Sequence, residues 1–151
     1  FGTKKALSLS NDGIVHGFRD KFEKILSYKV DYVFGNHDEA LALTETDNID
    51  NAIEILKNKN FTTVITDGSN GSFIISGGEV IKNEGLEVKA IDTNGAGDMF
   101  AGGVIHGLSE GWENAESVKF GNFLASKGVA EIGPRLRKNK YKEYLKEFSK
   151  K

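Results

Sequence analysis

Cysteine is absent from the 151 residues, which excludes a disulfide framework, a thiolate metal site and a cysteine nucleophile, and makes a reducing, cytoplasmic setting the expectation. Long hydrophobic runs are missing too. None approaches the length of a membrane span or a signal-peptide core, so no membrane partner is expected. Proline occurs once, at Pro134, and no Pro-rich linker, low-complexity stretch or internal repeat divides the chain. Methionine also occurs once, at Met99, while residue 1 is Phe1; the expectation is that the sequence is a piece of a longer polypeptide.

What is present suits one globular domain: 38% apolar and 28% charged residues can close a core and solvate a surface. The net charge of -2 conceals a basic end, because residues 135–151 carry eight Lys/Arg against Glu143 and Glu147. Such an end can address nucleic acid. Tyr141, Tyr144, Leu145 and Phe148, however, fall at i, i+3, i+4 and i+7, so the segment reads as a terminal helix docked on a core with a solvated lysine face. Nucleic acid is not the expected partner.

Short strand-like runs alternate with helical stripes, the mark of an α/β layer architecture. Strands are expected at residues 5–9, 31–34, 62–66, 72–76, 79–82 and 86–91. Helical stripes fall between and after them: Phe18, Phe22, Ile25 and Leu26; Ala40, Leu41 and Leu43; Ile49, Ala52, Ile53 and Leu56; Phe100, Val104, Ile105 and Leu108; Ala115, Val118, Phe123 and Leu124; and residues 138–150. Gly77 and Gly78 between two strands signal a hairpin, so the sheet is mostly parallel with an antiparallel portion.

The densest chemical signal is Asp92-Thr93-Asn94-Gly95-Ala96-Gly97-Asp98. It lies between a strand and a helical stripe, so Gly95 to Gly97 form the first turn of a helix whose free N–H groups and dipole suit an anion such as phosphate. A carboxylate beside a stored phosphate would repel it. Asp98 makes sense where the phosphoryl group moves: it accepts a proton from a substrate hydroxyl while Gly95, Ala96 and Gly97 N–H groups hold developing charge. The plainer alternative is a glycine-rich helix start capped by Asp92 or Asn94, with Asp98 an ordinary first-turn acid. A Rossmann fingerprint fits poorly, since Phe100 stands where Gly or Ala belongs, and no Lys-Ser/Thr pair follows for a Walker loop.

This heptapeptide resembles the C-terminal signature of the ribokinase-like, or PfkB carbohydrate kinase, family. The resemblance implies a three-layer α/β/α fold, an anion hole at Gly95, Ala96 and Gly97, and Asp98 as catalytic base. Asn36-His37-Asp38-Glu39 resembles the family's Asn-x-x-Glu motif, which implies that Asn36 and Glu39 help position Mg²⁺ and phosphate through water; both side chains offer the oxygens a hard cation takes. By itself this tetrapeptide also reads as a helix cap with acidic first-turn residues. Thr66-Asp67-Gly68-Ser69-Asn70-Gly71 resembles the family's nucleotide loop, implying ATP contacts for Thr66, Gly68 and Gly71, and Asn122 with its neighbours resembles the helix flanking the adenine. Asp92 and Thr93 correspond to where some relatives bind a monovalent cation. His16, His37 and His106 show no metal-ligand spacing and read as surface or turn residues. Trp112, at the head of a helical stripe, reads as packing.

The resemblance runs from Leu7 to about Pro134 and corresponds to the C-terminal half of a family member. Residues 1–151 are therefore expected to be the nucleotide-binding and catalytic part of a single ribokinase-like domain, without the substrate and lid part. The activity implied is an ATP-dependent kinase acting on a primary hydroxyl, or, for the piece alone, a nucleotide-binding module. Asn94, the run Leu7 to Asn11 and the run Phe18 to Phe22 resemble the adenosine kinase branch. Asn11 itself and Phe34-Gly35-Asn36 depart from it, so a nucleoside and a sugar both stay open as acceptor. A truncated sheet leaves an edge and an apolar face uncovered, and a homodimer or association with the missing N-terminal half is expected.

Overall fold

The computed structural model describes residues 3–149, apart from the side chain of Lys138. The chain forms two compact units, one of residues 1–68 with 72–82 and the other of residues 69–71 with 83–151.

The first unit is built on a sheet. β1 (Ala6–Ser8), β2 (Tyr32–Asn36) and β3 (Thr62–Thr66) run parallel in the order β1-β2-β3, followed by β4 (Ser72–Ser76) antiparallel to β3 and then β5 (Glu79–Asn83). β4 and β5 join through Gly77 and Gly78, whose φ values of 58° and 86° are those a two-residue hairpin turn requires. In β3 the residues Thr63, Val64 and Ile65 are all buried, as expected for a central strand covered on both faces.

Two pairs of helices make the parallel crossovers: α1 (Asp12–Gly17) and α2 (Arg19–Ser27) between β1 and β2, then α3 (His37–Thr44) and α4 (Ile49–Leu56) between β2 and β3. α4 starts where the Asn48 side chain accepts from Asn51 N–H, and it buries Ala52, Ile53 and Leu56 on the expected stripe. α1 has no such stripe; Val15 is its single buried residue. On α2, Phe22 and Leu26 pack on the core formed by Leu9, Val33, Leu43, Leu56, Ile65 and Ile75. Phe18 and Ile25 of the same expected stripe are exposed.

The second unit is helical: α5 (Ala96–Ser109), α6 (Asn114–Val129) and α7 (Lys138–Phe148). α5 and α6 meet main chain to main chain. A Cβ on Gly103 would lie 2.8 Å from Gly121 Cα, and one on Gly107 would lie 2.9 Å from Ser117 Cα. α7 lays Tyr141, Tyr144, Leu145 and Phe148 against Phe120, Phe123 and Leu124, so the terminal helix is docked as its stripe predicts. Ion pairs of Lys127 with Glu147 and Lys140 with Glu131 flank that contact. The last expected helical residue, Lys150, lies outside the described residues.

Three expectations need correction. Residues 86–91 form no strand: Leu86, Val88 and Ile91 are exposed, and the segment's end is held by Ile91 and Asp92 N–H groups donating to Val129 O. His106 is half-buried and, beyond a surface role, belongs to the aromatic cluster, its ring 5.8 Å from those of Trp112, Phe120 and Tyr141. Trp112 precedes α6 instead of heading its stripe, though its role is packing, against Phe120 and Phe148. Among the described residues no helix is long and apolar enough to cross a membrane.

Candidate active site

In the first unit the site residues gather at the carboxyl ends of two parallel strands, the place where open α/β sheets bind ligands. β2 and β3 are in register with Asn36 opposite Thr66, so the Asn-x-x-Glu motif and the start of the glycine loop are neighbours by strand pairing. Gly68, at φ 53°, then turns the chain into a short 3-10 segment.

Asn36 caps α3 in a reciprocal arrangement. Its Oδ1 accepts from Glu39 N–H at 2.8 Å, while Glu39 Oε2 accepts from Asn36 N–H at 3.0 Å and Oε1 from Asn36 Nδ2 at 3.1 Å. Gly35 leaves room for this, since a Cβ there would sit 2.8 Å from Leu9 Cδ1 and 3.2 Å from Glu39 Oε2. Glu39 is 6% exposed. Burial pushes its carboxyl up, opposed by the Asn36 N–H and reinforced by the like charges of Asp12 and Asp38. The pair is thus a helix cap, and it keeps lone pairs for water beyond the capping bonds. Among the described residues no group of three His, Cys, Asp or Glu side chains is placed to hold a metal ion. The donor set fits holding a hard cation through water better than chelating it directly.

One contact here has no counterpart among the sequence motifs. His37, the first residue of α3, places Nδ1 3.0 Å from Asp67 Oδ1, linking the residue after Asn36 to the residue after Thr66. Its sequence signal is slight, because it depends on the β2–β3 register.

In the second unit Gly95 precedes α5 in the left-handed region, at φ 74°. A Cβ there would overlap the Pro134 carbonyl oxygen, so glycine is required by conformation and by packing alike. Neither Asp92 nor Asn94 caps the helix; no side chain does. Asp92 instead accepts from Asn94 N–H and from Gly133 N–H, each at 3.0 Å, and these backbone donors hold its carboxyl below the usual range. With one backbone donor on each oxygen it clamps the 133–134 loop to the glycine turn.

Ala96 N–H donates to Thr93 O at 3.2 Å. The N–H groups of Gly97 and Asp98 have no acceptor among the described residues, as first-turn positions of a helix with no side-chain cap. Gly97 and Asp98 are exposed, and a Cβ on Gly97 would meet nothing within 4 Å. Asp98 is the acid of the first turn. Of the remaining expected residues, Asn122 is half-buried on α6. Gly71, at φ 101°, packs so tightly on residues 83–85 that a Cβ would overlap Asn83 O, which gives it a structural reason to be glycine.

A family model described as "pfkB family carbohydrate kinase" matches residues 3–140. The adenosine kinase of Saccharomyces cerevisiae is 30% identical over 141 residues, covering 85% of this chain and 41% of that protein. Adenosine kinase 1 of Arabidopsis thaliana is 33% identical, covering 84% and 41%. Among solved structures, adenosine kinase from Sinorhizobium meliloti superposes with a TM-score of 0.89 at 33% identity, over 97% of this chain and 45% of that one. A ribokinase from Thermotoga maritima, at 23% identity and a TM-score of 0.74 over 97% of this chain and 50% of that one, shares the fold. The chain therefore spans less than half the length of the curated relatives it matches. With the glycine turn, its aspartate and the paired strand ends in the expected order, this chain belongs to the pfkB family of carbohydrate kinases.

Proposed function

We propose that the protein carrying this chain is an ATP-dependent kinase that moves the γ-phosphoryl group to a primary hydroxyl of a nucleoside or sugar. Residues 1–151 supply the nucleotide-binding and catalytic part of a single ribokinase-like domain. The observation that carries this reading is the uncapped, glycine-built start of α5, with an exposed carboxylate one residue beyond a glycine whose side-chain space is open.

ATP supplies the phosphoryl group, and Mg²⁺ screens its charge. Asp98 accepts the proton of the acceptor hydroxyl as that oxygen bonds to the γ-phosphorus and the bond to the β–γ bridging oxygen breaks, releasing ADP. The Gly95-Ala96-Gly97 turn forms the anion hole, with the N–H groups at Gly97 and Asp98 left to donate to the oxygens on which charge gathers. Asn36 and Glu39 hold water of the Mg²⁺ shell, and Thr66, Gly68, Gly71 and Asn122 contact the nucleotide.

In the full-length protein Asp98→Asn should reduce turnover by on the order of two to four decades with ATP affinity kept, because the base is lost and the binding loops are not. Near-normal turnover would sink the assignment. A second reading is a nucleotide-binding module without turnover. Calorimetry with ATP and Mg²⁺ beside a phosphotransfer assay on the same sample separates the two, since heat without product supports the module.

A further inference from the structure

The His37–Asp67 contact belongs to neither motif's expected chemistry. His37 occupies an unspecified position of Asn36-x-x-Glu39 and Asp67 an unspecified position of Thr66-x-Gly68, and the two side chains meet at 3.0 Å across 30 residues of sequence. The β2–β3 ladder ends at Asn36 opposite Thr66, so Asp67 and Gly68 lie just beyond the last strand pairing. Gly68 is at φ 53°, and a Cβ added there would meet nothing within 4 Å.

An ionised carboxylate only accepts hydrogen bonds, so the imidazole Nδ1–H donates to Asp67. His37 is anchored in turn, because it lies inside the Asn36–Glu39 capping box and opens α3. The side chains are 37% and 18% exposed, which shields the bond more than an open surface pair.

We propose that His37 is a positioning residue: its bond to Asp67 extends the β2–β3 pairing by one side-chain rung and holds the Thr66–Gly68 turn in the shape that receives nucleotide phosphates. The nucleotide part of this inference rests on the kinase reading above, and the bracing part does not. A preorganised turn spares the ligand the entropy of ordering it, so the effect falls on binding and not on the reacting atoms.

The test is a mutant cycle in the full-length protein with two readouts: amide hydrogen exchange at Asp67 and Gly68 without ligand, and calorimetric binding of Mg²⁺ with a non-hydrolysable ATP analogue. His37→Ala and Asp67→Ala should each speed exchange and weaken binding by about three- to tenfold, the worth of one partly buried hydrogen bond. The double variant should be no worse than either single one. His37→Asn, which keeps an N–H donor at the δ position, should restore both readouts, and the KM for ATP should rise in His37→Ala with kcat within about twofold. Unchanged exchange in either single variant, additive losses in the double variant, or failure of His37→Asn to rescue would overturn the bridge. Coupled exchange in a protein that does not bind the analogue would support the bracing and refute the kinase reading.

Discussion

Gly95 and Gly97 stand two residues apart, and the structure gives them opposite reasons for being glycine. At Gly95 the reasons are structural. Its φ of 74° costs an L-residue about 1–2 kcal/mol, and the added Cβ would overlap Pro134 O and lie 3.0 Å from Pro134 Cα. Relieving that overlap adds about 1–3 kcal/mol, so Gly95→Ala should destabilise the fold by about 2–5 kcal/mol in all. At Gly97 no such demand exists: the residue is helical and exposed, and an added methyl group would meet nothing within 4 Å. Alanine there should stabilise by about 0.5–1 kcal/mol through the reduced freedom of the unfolded chain. If the turn cradles a phosphoryl group, however, that methyl stands where the ligand approaches the N–H groups. A displacement of about 1 Å should then cost about a hundredfold in turnover. Urea denaturation and a phosphotransfer assay on the same Gly97→Ala preparation read both effects. A variant that is more stable and turns over normally would show that the glycine turn does not hold the transferred group.

Asn36→Ala removes the α3 cap and one donor to the buried Glu39 carboxylate, and should lower stability by about 1–2 kcal/mol in urea denaturation. Ser117→Ala should stabilise the fold by about 1 kcal/mol, read as a higher urea midpoint, because the Ser117 hydroxyl is buried with no hydrogen-bond partner among the described residues. The hydrogen bond from Lys140, helped by the Tyr144 hydroxyl against partial burial, holds Glu131 below the usual carboxylate range. A carboxylate held low stabilises the fold above its unfolded pKa and loses that contribution as pH falls through the folded value. Acidification below about pH 4.3 should therefore loosen α7, read by fluorescence of Trp112, the single tryptophan, which stacks on Phe148. Glu131→Gln should abolish that response.

Much of the strand layout was legible in the sequence. β3 and β4 match their expected bounds because β-branched runs are bracketed by turn residues, and Gly77-Gly78 marks the hairpin directly. Residues 86–91 misled for a physical reason: alternating apolar residues describe an extended chain equally well whether or not a ladder partner exists. α1 was invisible because one buried valine makes no period. The glycine turn and Asp98 could be read from their order along the chain. The Asp92–Gly133 and His37–Asp67 contacts join residues 41 and 30 positions apart and become visible only when the chain is folded.

The glycine contact between α5 and α6 has a consequence for how this surface can change. Gly103 of one helix meets the Gly121 backbone of the other, and Gly107 meets Ser117, so no long side chain stands between the helices at these two points. Asp98 and Asn122 ride on these two helices. Their separation is therefore gauged by four small residues, and a larger side chain at any of them would push the helices apart. The outward faces of both helices can be rewritten freely, for solubility or for a new acceptor, while that gauge stays set.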